Sequence, residues 1–342
     1  MNSVLDARRK EITLGTMVKH YLKRAQEIEF YLTVNPKEWG RFQSEFNLEL
    51  NNVFRNIMEF EKTNLTKDCE DKVYKLKKLF VNRIRQMFLR GELIVWSLNK
   101  PFGYAGDFKI IDMIYLNNPA TTGFDRLFDN YFQMSSISVA VRNRKEDFKR
   151  LIMDFIKERK GQKVRIMDLA SGPCREIKEI LSADSSLFKN VVLDCYENDS
   201  NAIEYAKILL AEHACEINFV KENAVRIALK KDICCLIGER YDFIYSTGLF
   251  DYFEEKIAIR LIQNLRKLLK PDGVLAISDV RDKYSNPSMH FMEWVGDWNL
   301  IYRDDDNFRK IFIESGFKKN ELVFQYEQQG ILQYIIATNK RG

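Results

Sequence analysis

The sequence predicts an α/β protein in which a mostly parallel sheet, closed by a C-terminal antiparallel hairpin, follows an all-helical N-terminal domain. Three patterns carry this reading. Up to about residue 160 apolar residues recur three or four apart; beyond Gly161 short β-branched runs alternate with amphipathic helices; and the chain finishes in two β-rich runs around Gln329-Gly330. A chain of 342 residues suits two domains, and the change of period sets them at 1–160 and 161–342.

Taken in order, Asn35-Pro36 with Glu38 supplies a cap, a proline at the first helical position and an early acid. They start a helix with Phe42, Phe46, Leu50, Val53 and Ile57 on one face. A second stripe, Val73, Leu76, Phe80, Ile84 and Met87, ends near Arg90-Gly91, where glycine can take the left-handed conformation. The two stripes predict a helical hairpin. Short helices follow near 107–116 and 124–133, then the basic helix "AVRNRKEDFKRLIMDFIKERKG". Parallel strands are expected at Val164–Asp168, Val191–Tyr196, Ile217–Lys221, Asp242–Ser246 and Val274–Ser278, with a helix and a Pro-Asp-Gly turn between the last two.

Composition narrows the function classes. The 46% hydrophobic and 30% charged fractions are those of a globular protein, and no apolar run reaches the roughly 20 residues that span a bilayer. No secretion signal is evident at the N-terminus, so a cytoplasmic location is expected. Six cysteines show neither CxxC nor Cys/His spacing, and no metal site is expected. The net charge of +5 comes from 54 basic and 49 acidic residues spread along the chain, without the clustered basic face that nucleic acid requires.

The most informative stretch is "VRIMDLASGPCREI", a strand that stops at an acid, turns through small residues and enters a helix. In open α/β sheets such a corner is where ligands bind, and small residues let backbone approach them closely. The second strand ends at Glu197, close to the spacing at which an acid reaches a ribose hydroxyl pair. Asp199 and Ser200 are explained as helix caps; Glu197 is not. A nucleoside cofactor is therefore implied. Ala170, Gly172 and Cys174 replace the G-x-G-x-x-G that a pyrophosphate needs, and Asp168 would repel one.

The stretch "MDLASGPCRE" resembles motif I of the class I methyltransferases that use S-adenosylmethionine. The resemblance extends through Glu197, "ENAV", "YDFIYSTGLFDYF" and "LLKPDGVLAISD". It implies a Rossmann-like sheet and S-adenosylmethionine as cofactor, held by Asp168, Ala170, Ser171, Gly172, Pro173, Glu197, Asn198, Asn223, Ala224 and Ser246. Asp168 would face the cationic methionine end and Asn223 with Ala224 the adenine. Ala170 and Cys174 depart from the usual glycines, and Asn223 from an acid. The stretches "KPFGYAGDFKIIDMIY", "AVRNRK", "STGLFDYF" and "WNLIYRDD" resemble those of bacterial methyltransferases of 3-hydroxypalmitic acid methyl ester biosynthesis, a resemblance that reaches from about Pro101 to the C-terminus. "KPFGYAGDFKIIDMIY" would then be a lid, with Tyr104 and Asp107 touching ligand, although Asp107 reads equally as a helix cap.

Methyl transfer from a sulfonium is an in-line displacement, so positioning matters more than a base. A carboxylate acceptor is already ionised at neutral pH; an amine or hydroxyl usually needs a base. His290, Arg281 and Tyr104 are the candidate catalytic groups, and Trp298, Tyr302, Arg303 and Tyr252 the candidate acceptor contacts, with a helical insert expected around 285–315. A structural role for His290 is an equal alternative, and Trp294, Trp298 and Tyr302 could be one core face. His20 and His213 read as surface groups. The leading expectation is O-methylation of a small carboxylic acid, a hydroxylated fatty acid among them, by a protein admitting homodimers. The rivals are N- or hydroxyl O-methylation of a small natural product, a non-catalytic S-adenosylmethionine-binding protein, and an RNA methyltransferase.

Overall fold

In the computed structural model, which describes residues 2–65, 69–213 and 215–340, the chain forms two compact units. One comprises residues 1–139 with 283–299, the other 140–282 with 300–342.

The first unit is helical. Helices Asn2–Val34, Gln43–Leu65, Glu70–Phe88, Glu92–Asn99, Phe108–Leu116 and Gly123–Met134 are joined by Ser288–Trp294. Phe46, Leu50, Val53 and Ile57 are buried as their spacing requires, and so are Val73 and Phe80; the side chains of Ile84 and Met87 lie outside the described residues. The core is aromatic. Phe54 meets Phe88 at 6.0 Å and Phe291 at 5.2 Å, and Phe80 meets Trp294 at 5.7 Å. Asn35 starts no α-helix: its amide donates back to the Tyr31 carbonyl, and Pro36–Arg41 forms a 3-10 turn before the helix at Gln43.

The second unit is a seven-stranded sheet: β1 (Val164–Leu169), β2 (Val191–Glu197), β3 (Glu216–Lys221), β4 (Tyr241–Ser246), β5 (Leu269–Val280), β6 (Leu322–Tyr326) and β7 (Leu332–Thr338). The order is β3-β2-β1-β4-β5-β7-β6. The first five are parallel; β7 runs antiparallel between β5 and β6. Central strands are buried on both faces, and in β2 all seven residues are buried, Asp194 and Glu197 among them. Strand order reverses between β1 and β4, so the ligand crevice of such a sheet opens at their carboxyl ends.

The division differs from the boundary expected at residue 160. Most of helix Ser136–Glu158 belongs to the sheet unit, where Phe155 stacks on Phe243 at 4.9 Å and Phe148 meets Tyr334 at 5.3 Å. The expected 285–315 insert also splits. Residues 283–299 join the helical core through Phe291 and Trp294, while helix Asp305–Glu314 buries Phe308, Ile311 and Phe312 against the sheet unit.

Candidate functional site

Where β1 ends, its backbone takes three alternate left-handed steps, at Ala170 (φ 59°), Gly172 (φ 53°) and Cys174 (φ 51°), before helix Arg175–Asp184 begins. The amide of Ala170 donates to the Tyr196 carbonyl of β2 at 2.8 Å, and that of Cys174 to the Ser171 carbonyl at 3.2 Å. The space next to Gly172 is open: a Cβ built there meets nothing within 4 Å. Asp168 lies beneath, registered between Cys195 and Tyr245. It is buried, and its Oδ2 has no hydrogen-bond partner among the described residues. Burial, reinforced by the Glu176 carboxylate, pushes Asp168 well above the usual carboxylate range. Cys174 and Cys195 pack beside it with their sulfurs 3.9 Å apart, and Pro173 completes the turn.

Glu197 closes the other side. Its Oε2 accepts from the Gly172 amide at 3.0 Å, and its Oε1 from Asn198 at 2.7 Å and Asp199 at 2.9 Å. Burial raises its pKa, opposed by these three amides. Asp199 caps the next helix through Asn201, so the two acids divide as expected, one capping and one crossing to the corner. Asn223 caps helix Ala224–Leu229 through the Val225 amide at 2.8 Å. The Ser246 hydroxyl donates to the Leu169 carbonyl at 2.8 Å, tying the ends of β4 and β1 together.

The acceptor candidates are shared between the two units. Tyr252 and Tyr302 lie in the sheet unit near the carboxyl ends of β4 and β5, Tyr252 on a 3-10 turn and Tyr302 next to Ile301, whose amide donates to the Asp251 carbonyl at 2.7 Å. Arg303 is buried and already engaged: it donates to Asp279 at 3.0 Å, to the Phe250 carbonyl at 3.0 Å and to the Phe253 carbonyl. Arg281 holds Asp305 at 2.7 Å. Both arginines are thus paired with aspartates of the sheet unit.

His290 and Trp298 belong to the helical unit, both buried. The His290 Nε2 stands 3.6 Å from Glu61 Oε1, beyond hydrogen-bond reach. Glu61 accepts from Trp294 Nε1 at 3.0 Å and pairs with Lys283 at 2.6 Å, and Lys283 also reaches Glu293 at 2.5 Å. Tyr104 is partly exposed. Asp107 is buried; it caps helix Phe108–Leu116 through Lys109 and Ile110 and accepts from the Trp96 indole at 2.9 Å. These bonds match the capping reading. Of the surface histidines, His20 pairs with Glu49 at 3.4 Å and His213 neighbours Lys178 at 3.1 Å.

Further residues stand around the crevice that were not singled out as site candidates. Glu176, in the first turn after the corner, is buried and accepts from the Tyr245 hydroxyl at 3.3 Å. Arg144 arrives from the helix before the sheet, its guanidinium 3.1 Å from where a Gly248 Cβ would stand, and its charge steadies Glu176 and Asp251. Asp251 in turn accepts from the Val280 amide at 2.6 Å. Glu176 was within the quoted stretch; Arg144 reaches its place only through the fold.

Among solved structures, a "possible exported protein" from Bordetella parapertussis is 18% identical, with a TM-score of 0.60 over 78% of this chain and 96% of that one, a likeness of fold. A magnesium protoporphyrin IX methyltransferase from Synechocystis PCC 6803 with bound SAH is 12% identical, with a TM-score of 0.45 over 68% of this chain and 100% of that one. An O-methyltransferase family protein from Burkholderia thailandensis is 15% identical, with a TM-score of 0.43 over 62% of each chain. No curated protein sequence gives a significant match. Among the described residues no helix is long and apolar enough to cross a membrane. Residues 74–279, more than half of the chain, match the profile of the family described as "putative methyltransferase", and the chain belongs to that family.

Proposed function

We propose that the protein transfers a methyl group from S-adenosylmethionine to a small carboxylic acid, a hydroxylated fatty acid being the favoured class. The observation that carries the cofactor is the corner itself, where an open turn lies between a buried carboxyl lacking a partner at Oδ2 and the Glu197 carboxylate. The residues fit a nucleoside bearing a cationic tail. When bound, S-adenosylmethionine supplies an electrophilic methyl on a sulfonium. Glu197 would accept from the ribose, Asp168 would face the positive end, and Asn223 with Ala224 would border the adenine; Ala170, Ser171, Gly172 and Pro173 would give the backbone close approach.

The acceptor follows from acid–base chemistry. In the sheet unit the one histidine is His213, just past the end of helix Ser200–Leu210, which leads back toward the amino ends of the strands. A carboxylate nucleophile, ionised at neutral pH, needs no base there. Tyr252 and Tyr302 would border it. A hydroxyl or amine acceptor would instead require a base. The deciding experiment incubates the purified protein with methyl-labelled S-adenosylmethionine and a small-molecule extract. Label in the organic phase, released as methanol by mild base, is the expected result. Base-stable label overturns the carboxyl acceptor, and absence of label overturns the transfer.

A further inference from the structure

We infer that the helical unit holds a second ligand, an apolar molecule with a single anionic head, in a cavity of about 270 Å³ whose one cation without a carboxylate partner, among the described residues, is Lys77. The site belongs to this unit alone, so it stands whether or not the sheet unit transfers methyl groups. Its walls are Phe80, Phe88, Leu98 and Trp294, with the Phe80 ring 5.6 Å from Phe88 and 5.7 Å from Trp294. Lys77 is one turn before Phe80 on helix Glu70–Phe88, so its stem can lie along the apolar wall with the ammonium at the rim.

The charges on the wall decide the sign of the head. Two acids line the cavity, and each already has a cation: Asp297 takes Lys100 at 2.6 Å, and Glu293 takes Lys283 at 2.5 Å. Lys77 donates to the neutral amide oxygen of Asn299 at 3.3 Å and, among the described residues, makes no ion pair. It is half-buried, and burial lowers its pKa, opposed by the more distant Glu293 and Asp297. An arriving carboxylate would give Lys77 a direct partner, while an arriving cation would meet carboxylates already paired with Lys283 and Lys100 and the unneutralised Lys77 beside them. The volume lies just below the usual ligand-pocket range of roughly 300 to 1,000 Å³. It therefore suits a medium chain or a single ring.

Calorimetric titration of the full chain with sodium octanoate, octylamine and octanol tests this. Octanoate is expected to bind at least tenfold tighter than octylamine. Lys77→Met should weaken octanoate about tenfold and leave octanol unchanged, Lys77→Arg should restore octanoate, and Leu98→Trp should abolish binding of both. Thermal melts identify any variant that fails to fold. Equal affinity for octylamine, an unaffected Lys77→Met variant, undiminished octanoate binding by a folded Leu98→Trp variant, or no heat with octanoate would each overturn the inference.

Discussion

Glu197→Gln isolates the carboxylate proposed to read the ribose, and the geometry sets how large its effect can be. A carboxylate offers about four acceptor sites. Three are occupied by the amides of Gly172, Asn198 and Asp199, so one strong site remains for a hydroxyl pair. Glutamine keeps the length and one acceptor oxygen, but turns an NH2 group toward either the Gly172 amide or the Asn198 and Asp199 pair. The loss is one charge-assisted bond, about 1.5–3 kcal/mol, which weakens binding by roughly 10- to 150-fold. The assay is calorimetric titration with S-adenosylhomocysteine, accompanied by competition between adenosine and 2′,3′-dideoxyadenosine. Wild type should prefer adenosine and the variant should lose that preference, with the ligand-free melt recording any damage to the corner. Affinity within threefold of wild type, with the preference intact, would refute the ribose role.

Asp168 gives a pH signature. Its carboxyl is raised by burial and Glu176, so a cationic ligand must drive off a proton, and affinity for S-adenosylmethionine should rise with pH by up to tenfold per unit below that raised value; Asp168→Asn should flatten the profile. The same raised carboxyl favours the ligand-free fold below the unfolded pKa of about 3.9 and loses that contribution as pH rises, so Asp168→Asn should melt higher than wild type at pH 8 and match it near pH 4. Arg303→Met leaves Asp279 buried without its cation and should cost about 3–5 kcal/mol by urea unfolding; less than about 1 kcal/mol would contradict the pairing. Gly91→Ala and Gly172→Ala both place a Cβ at positive φ, a strain of about 1–2 kcal/mol, but only the first meets a neighbour, Asp129 Oδ1 at 2.6 Å. Gly91→Ala should therefore unfold at lower urea than Gly172→Ala, and the reverse order would contradict the close approach of Asp129 to Gly91.

What the sequence disclosed follows from how far apart the interacting residues lie along the chain. The strands were legible because parallel strands buried on both faces become short segments rich in apolar residues, and the corner was legible because its backbone and Asp168 are contiguous. The pairing of charged side chains was not legible, because a sequence displays a charge but not its partner. Arg281 and Arg303 stand in the stretch expected to build the acceptor pocket, and each is matched to an aspartate. His290 illustrates the same limit: Glu61, its nearest acid, comes from a different helix of the same unit. Helix Ser136–Glu158 was assigned to the helical domain by its place in the chain, while Phe148 and Phe155, which seat it on the sheet, resemble any other apolar stripe.

The corner's small residues still admit a bland explanation, a turn too tight for side chains, and the structure supplies a test of it. If left-handed backbone alone demanded glycine, Ala170 and Cys174 would be glycines too, since both hold nearly the same φ as Gly172. They carry a Cβ there at a strain of about 1–2 kcal/mol each. If crowding demanded it, a Cβ on Gly172 would meet a neighbour, and it meets none within 4 Å. Neither conformation nor packing within the chain accounts for the missing side chain. What remains is the space itself, bordered by the Glu197 carboxylate that grips the Gly172 amide and lying above the buried Asp168. A fold that keeps strained backbone and a partly unpartnered carboxyl at one point sacrifices stability there, as binding sites do. Open space at Gly172, next to two acids, is where the proposed cofactor would bring hydroxyl donors to one acid and positive charge to the other.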